Sequence, residues 1–216
     1  MYAGAYSATF TVTNNCAFTI WPATLTGGGT SQLPSTGFEL TSKASSTIDV
    51  TAPWSGRFWA RSQCSTDTHG KFTCATGDCG SVSLVEFTLA SNKGQDFYVV
   101  SLVDGFNLPV LVTPQGGLRG CNTTSSPSDV NKVYPPSFSV KGSDGSVIAC
   151  KSACLALNQP EYCCTGPFAS ADKCPPTPYS IIFKNMCPQA YSYAYDDRTS
   201  TFTCSGGANY SITFCP

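Results

Sequence analysis

Thirteen cysteines in 216 residues, accompanied by a single histidine, His69, restrict this chain more than any other feature. No two of them stand in a Cys-x-x-Cys pair, so a zinc site lacks its ligands and no metal is expected. A disulfide framework is the better reading. It places the chain in an oxidising compartment, secreted or extracellular, because reducing cytosol does not sustain such bonds. The odd count leaves at least one thiol over, or one bond to another chain. Length alone does not demand the staples, since a chain of this size can bury a real hydrophobic core.

Charge excludes several classes of partner. Twelve basic and 13 acidic residues leave a net charge of -1, and charged residues make up 12% of the chain, against about 25% in an average globular protein. Nothing here favours nucleic acid or an anionic membrane. No apolar run approaches the roughly 20 residues of a spanning helix, so no membrane span is expected. Met1 to Ser7 is too short to hold the apolar region of a signal peptide, although Ala3-Gly4-Ala5 has the small-x-small look of a cleavage site. Residues 1–7 are read as an edge of the chain or a signal remnant. Asn122-Thr-Thr and Asn209-Tyr-Ser are glycosylation acceptor triplets that fit a secretory route.

Alternation with a period of two dominates the rest. "ATFTVTN" puts Phe10 and Val12 on one face, "STIDV" does so with Ile48 and Val50, and "FYVVSLV" and "YSITF" continue the pattern. Turn clusters such as "TGGGTS" and "SNKGQ" separate these strands. The one helix expected covers about Lys151 to Leu157, with Cys150 and Cys154 four apart on one face. Between Cys121 and Cys174 cysteine, serine and proline are dense and alternation fades, as in a separate disulfide-rich lobe. "SIIFKNMCPQAYSYAYDD" and the last stretch return to strand-like sequence, with Tyr191, Tyr193 and Tyr195 on one face, either packed inward or offered to a sugar.

Several stretches carry a family likeness: "GKFTCATGDC" at 70–79, "FTVTNNCAFTIWPA" at 10–23, "EYCCTGPF" at 161–168, "CPQAYSYAYDD" at 187–197 and "YSITFCP" at 210–216. In this order they resemble the thaumatin-like proteins, the plant pathogenesis-related group 5, over the whole chain from Ala8 onward. The resemblance implies a mainly β fold: a flattened β-sandwich core (8–63, 80–120 and 180–216), a disulfide-rich lobe of loops and short helix (121–179) and a small third lobe (64–79). It also implies the pairs Cys16–Cys215, Cys64–Cys74, Cys121–Cys204, Cys154–Cys163 and Cys164–Cys174. Cys79, Cys150 and Cys187 then fall where the family has a paired cysteine whose partner is missing here. The missing partner of Cys187 aligns with Ser126 and that of Cys150 with Tyr134, while the chain shortcuts the loop that would hold the partner of Cys79 through "GSVS". Cys150 and Cys187 could instead bond to each other if geometry allows. The third lobe and the loop lobe are expected to be looser than the core. A monomer is expected, with a disulfide-linked dimer through Cys79 as the alternative.

The resemblance also implies a cleft between core and loop lobe lined by one basic and four acidic side chains. The basic residue falls on Arg57, with Arg61 the weaker choice, and three acids fall on Glu86, Asp104 and Asp196, while the fourth acidic position is Val99. From the residues alone, "LVEFTLASNKGQDFYVVSLVDG" is a hairpin turning around Asn92 to Gly94, which sets Glu86 nearly opposite Val99. Glycosidic hydrolysis needs two carboxyl groups, separated by roughly 5 Å for retention or about 6.5 to 9.5 Å for inversion. Glu86 and Asp104 are the candidate catalytic pair; the alternative is a solvent-facing strand residue and a turn-former before Gly105. The implied function is that of a secreted defence protein, in an apoplast or vacuole-type compartment. It would bind fungal β-1,3-glucan or another wall polysaccharide in this cleft and act against the fungus. Weak endo-β-1,3-glucanase activity is one alternative, and inhibition of a fungal xylanase, with a fungal glycosidase as partner, is another. His69 lies in a polar loop with no triad partner near it in sequence, and no cofactor motif is present.

Overall fold

The computed structural model describes residues 6–78 and 80–216. Fifteen strands run in chain order among them: β1 (Ser7–Asn14), β2 (Ile20–Thr26), β3 (Ser45–Thr51), β4 (Trp54–Thr66), β5 (Phe72–Thr76), β6 (Leu84–Leu89), β7 (Gln95–Ser101), β8 (Gly105–Phe106), β9 (Val110–Gln115), β10 (Arg119–Gly120), β11 (Thr124–Ser126), β12 (Ser139–Lys141), β13 (Val147–Lys151), β14 (Phe202–Ser205) and β15 (Asn209–Phe214). The helices are α1 (Ala153–Leu157), α2 (Pro160–Cys163), α3 (Pro178–Met186) and α4 (Asp197–Ser200). One sheet has the order β11-β9-β15-β1-β3, a second the order β10-β14-β7-β6-β4-β2 with β5 on β4, and a small third the order β12-β13-β8. The fold is mainly β, as the alternation predicts.

The core is made by the inward positions of the two large sheets. Along β1 the period-two pattern buries Ala8, Phe10 and Val12, and along β7 it buries Asp96, Tyr98 and Val100. Asp96 is an acid at a core position, and its burial is matched by hydrogen bonds: it accepts from the Tyr210 hydroxyl at 2.7 Å and from the Ala90 amide at 2.8 Å. Disulfides join Cys16–Cys215, Cys64–Cys74, Cys121–Cys204, Cys154–Cys163 and Cys164–Cys174.

Two local expectations are corrected. The stretch "SIIFKNM" is helical, not extended. Thr177 caps the amide of Ser180, whose hydroxyl in turn accepts from the Thr177 amide, and Pro178 occupies the first turn. Tyr179, Ile182, Phe183 and Met186 then pack on the core at the i, i+3, i+4, i+7 spacing of a helix. As a consequence, Tyr191, Tyr193 and Tyr195 do not share a strand face: Tyr191 makes a single parallel bridge to Ser101, while Tyr193 and Tyr195 lie in the turn before α4. The expected helix from Lys151 begins only at Ala153: Cys150 and Lys151 belong to β13, and Ser152 is the N-cap, accepting from the Leu155 amide.

Cys150 and Cys187 are unbonded and buried, and the alternative bond between them does not form. Cys79 lies outside the described residues. At the position aligned with the partner of Cys150, the Tyr134 ring stacks on Phe183 at 4.5 Å and fills the space with apolar surface. Burial pushes the Cys150 thiol up to about 12 and the Cys187 thiol up to about 11, so almost no thiolate exists at neutral pH. Alkylation of the native protein at pH 8 should therefore spare both residues, and alkylation in denaturant should label both. Peptide mapping by mass spectrometry checks this, and labelling of native Cys150 within minutes would contradict it.

Candidate functional site

The outer face of the second sheet carries a row of four residues across four adjacent strands. Leu25 of β2 pairs with Arg57 of β4, Arg57 with Glu86 of β6, and Glu86 with Val99 of β7. Their neighbours Phe58, Phe87, Tyr98 and Val100 are buried in the core. Alternation along a strand therefore turns Arg57, Glu86 and Val99 outward. The hairpin that brings Glu86 to Val99 turns at Ser91–Lys93, where Asn92 takes the left-handed conformation at φ 55°, a geometry asparagine tolerates better than most residues.

Two connected depressions meet on this row. One, of about 570 Å³, extends past Gly27 and Thr88 to Leu25 and Phe97. The other, of about 390 Å³, extends past Leu84 and Ser101 to Asp104, Tyr191 and Ala194. Arg57, Glu86 and Val99 line both, so together they form one open groove. Leu25 and Phe97 are each 45% exposed in it, an apolar floor on the side opposite Asp104. Phe97 was not singled out by the sequence reading. The signal was available, since Phe97 shares its outward face with Val99 two residues on.

Asp104 reaches the groove because the chain turns sharply behind it. Gly105 has φ 129°, and a Cβ there would lie 2.2 Å from the carbonyl oxygen of Cys150, so only glycine lets β8 approach β13. The other rim is held by Tyr191, whose backbone amide donates to the carbonyl of Val100 and whose carbonyl accepts from Leu102. The Tyr191 hydroxyl donates to Asp197 at 2.6 Å.

The Glu86 carboxyl is pushed above the usual carboxylate range, first by burial; the Arg57 guanidinium opposes the shift and the negative charge of Asp104 adds to it. A raised carboxyl next to a second carboxylate can retain a proton, accept hydrogen bonds from hydroxyls, or donate one. The other expected site residues have different surroundings. Asp196 does not line either depression. It is ion-paired with Lys184 at 2.9 Å and accepts from the Ser192 amide and hydroxyl, each at 2.9 Å. Arg61 lies on the same face as Arg57 but four residues along. There it donates to the Trp21 carbonyl at 3.2 Å and sits 5.2 Å from the Phe72 ring centroid. His69 is exposed, and its amide donates to Asp67.

Two large β-sheets and a small third, stapled by five disulfides and carrying an acid-bearing groove on an outer face, define a disulfide-rich, mainly β class of protein. The Thaumatin family model matches residues 14–216, and the chain belongs to that family. Thaumatin-like protein 1 of Pyrus pyrifolia is 64% identical, over all of this chain and 93% of the relative. A Prunus avium protein named glucan endo-1,3-beta-glucosidase is 55% identical over the same shares of the two chains. Among solved structures, the thaumatin-like xylanase inhibitor TLXI matches with a TM-score of 0.50 and 22% identity, covering 96% of this chain and 99% of the inhibitor. That last likeness concerns the fold.

Proposed function

We propose that this thaumatin-like protein is a secreted defence protein that binds β-1,3-glucan of fungal walls in the groove around Arg57, Glu86 and Asp104, and acts against the fungus through that binding. The observation that carries the reading is the pairing of Arg57 with Glu86 at the waist of an open groove. An open trough suits a polymer, which must enter from the side and leave at both ends. Carboxylates and a guanidinium hydrogen-bond to sugar hydroxyls, and the exposed Phe97 ring offers an apolar surface to a pyranose face. The disulfide framework fits secretion.

A second reading, weak endo-β-1,3-glucanase activity with Glu86 as acid and Asp104 as nucleophile or base, is favoured by the raised carboxyl of Glu86, since a general acid must hold a proton near working pH. The name of the Prunus avium relative supports the same reading. Val99 counts against it, leaving one carboxylate fewer beside Glu86. Inhibition of a xylanase rests on a neighbour that shares little more than the fold.

Laminarin separates these readings. Glu86→Gln should weaken laminarin binding by about tenfold, the loss of charge-assisted hydrogen bonds; undiminished binding would overturn the groove assignment. Any hydrolysis by the wild type should vanish in Glu86→Gln, and hydrolysis that persists would remove Glu86 as the acid. The same variant should not destabilise the fold. Because the folded-state carboxyl is raised, the stability linked to this group is fully present below the unfolded pKa and lost as pH rises through the folded one. Thermal denaturation at neutral pH should accordingly place Glu86→Gln at or above the wild type.

A further inference from the structure

Two acceptor triplets, Asn122-Thr-Thr and Asn209-Tyr-Ser, belong to neither the groove nor the disulfide framework. Attachment of a glycan to asparagine needs an accessible side-chain amide and a hydroxyl two residues further on. Both asparagines are exposed in the folded chain, but both triplets are tied into the first sheet. Thr124 is completely buried, with no partner for its hydroxyl, and Asn209 heads β15, which is held between β1 and β9. Transfer therefore has to precede closure of that sheet, and the order of synthesis separates the two triplets.

Asn122 waits for most of its surroundings. Its neighbour Cys121 bonds to Cys204, 83 residues later in the chain, which at about 5–20 residues per second leaves roughly 4 to 17 s before the bond can close. β11, which carries Thr124, meets β9 through three residue pairs, and the other neighbour of β9 is β15, made later still. A lone two-stranded hairpin is marginal in water, so Thr124 stays free over the same interval. Asn209 has no such delay. Both strands that flank β15 precede it in the chain, as does Thr9, whose amide donates to Asn209 Oδ1 at 2.9 Å. β15 can pair as soon as it emerges, and its triplet is drawn into the sheet with it.

The finished fold accommodates a glycan at Asn122. This residue is exposed and engages the fold through its backbone carbonyl, which accepts from the Tyr98 hydroxyl. It stands between β10 and β11, at the edge of the sandwich, and does not line the groove. We propose that Asn122 is the N-glycosylation site of this protein and that Asn209 is passed over. In the transfer, Asn122 Nδ2 forms a bond to the anomeric carbon of an oligosaccharide carried on a lipid pyrophosphate. The bond from that carbon to the pyrophosphate oxygen breaks, the lipid pyrophosphate leaves, and the amide proton passes to a base of the transferase. This rests on the secretory reading of the chain and not on the sugar groove.

Expression of the full chain behind a cleavable signal peptide in a eukaryotic secretory cell tests the assignment, since the host supplies the route. Release by a peptide N-glycosidase converts a modified asparagine to aspartate, which peptide mapping by mass spectrometry locates. Glycan is expected at Asn122 in most molecules and at Asn209 in few, and Asn122→Gln should remove the main modification. Ser211→Thr should leave Asn209 largely unmodified, because timing and not the kind of hydroxyl excludes it. Dithiothreitol during synthesis, which delays disulfide closure, should raise the occupancy of Asn209. An unmodified Asn122 would overturn the proposal, as would equal occupancy of the two asparagines in the wild type or in Ser211→Thr, or an Asn209 occupancy that dithiothreitol leaves unchanged. None of these outcomes depends on laminarin, so the site assignment stands or falls apart from the groove.

Discussion

Replacing Cys16 and Cys215 together by alanine should lower the free energy of unfolding by about 5 kcal/mol, the largest single loss expected anywhere in the chain. The bond spans 199 residues, so in the loop-entropy description it restricts the unfolded chain more than any other; the ten-residue span from Cys64 to Cys74 is worth about 3 kcal/mol on the same scale. The native geometry explains how the bond fits. β1 and β15 lie side by side and parallel, in register from Phe10–Tyr210 to Asn14–Phe214, and the disulfide closes just beyond the last of these pairs. A parallel pair brought together from the two ends of the chain has the highest loop-closure cost of any contact here, and the covalent bond removes most of it. Globular domains are stable by only about 5 to 15 kcal/mol. The double variant should therefore unfold at a denaturant midpoint far below that of the wild type, with a steeper dependence on denaturant as the unfolded chain expands. A loss under about 2 kcal/mol would show that the unfolded state is already compact without the bond.

Strands were legible in this sequence where alternation is clean, as in β1, β7 and β15, because burying one face of a sheet leaves a period of two that tertiary contacts reinforce rather than override. The register of Glu86 against Val99 was legible for the same reason, with Asn92 marking the turn. Helix α3 was not, since "SIIF" is rich in β-branched residues and their intrinsic preference hides the periodicity. The competing signal was there in Thr177-Pro178 as a start and in the spacing of Tyr179, Ile182, Phe183 and Met186. Misreading α3 carried the three tyrosines after it onto a strand that does not exist. The candidate groove was legible through its charged residues only. Phe97 and Leu25 were passed over because an outward apolar residue on a strand has no distinctive mark until the sheet shows what lies beside it. The placement of Asp196 against Lys184 was beyond the sequence, as it depends on how α3 and the 191–197 turn pack together.

Phe10→Ala should cost about 4 kcal/mol, as deletion of a buried phenylalanine commonly does. Phe10 is completely buried on β1, and its ring bridges the two large sheets. It stacks on Phe58 at 5.0 Å and on Tyr210 at 5.4 Å, meets Phe87 edge-on at 4.8 Å, and lies 6.2 Å from Trp54. Four large rings held by two sheets and tied by the Cys16–Cys215 bond cannot collapse into the void, so the cavity term is felt nearly in full. A melting temperature lower by about 10 °C follows for a chain of this length. Phe97→Ala provides the contrast on the same fold. That ring is exposed, so its removal should change stability by less than about 0.5 kcal/mol while weakening laminarin binding, because it takes away the apolar floor of the groove and nothing from the core. Equal destabilisation by the two substitutions would contradict the division of aromatic residues between the sandwich interior and the groove.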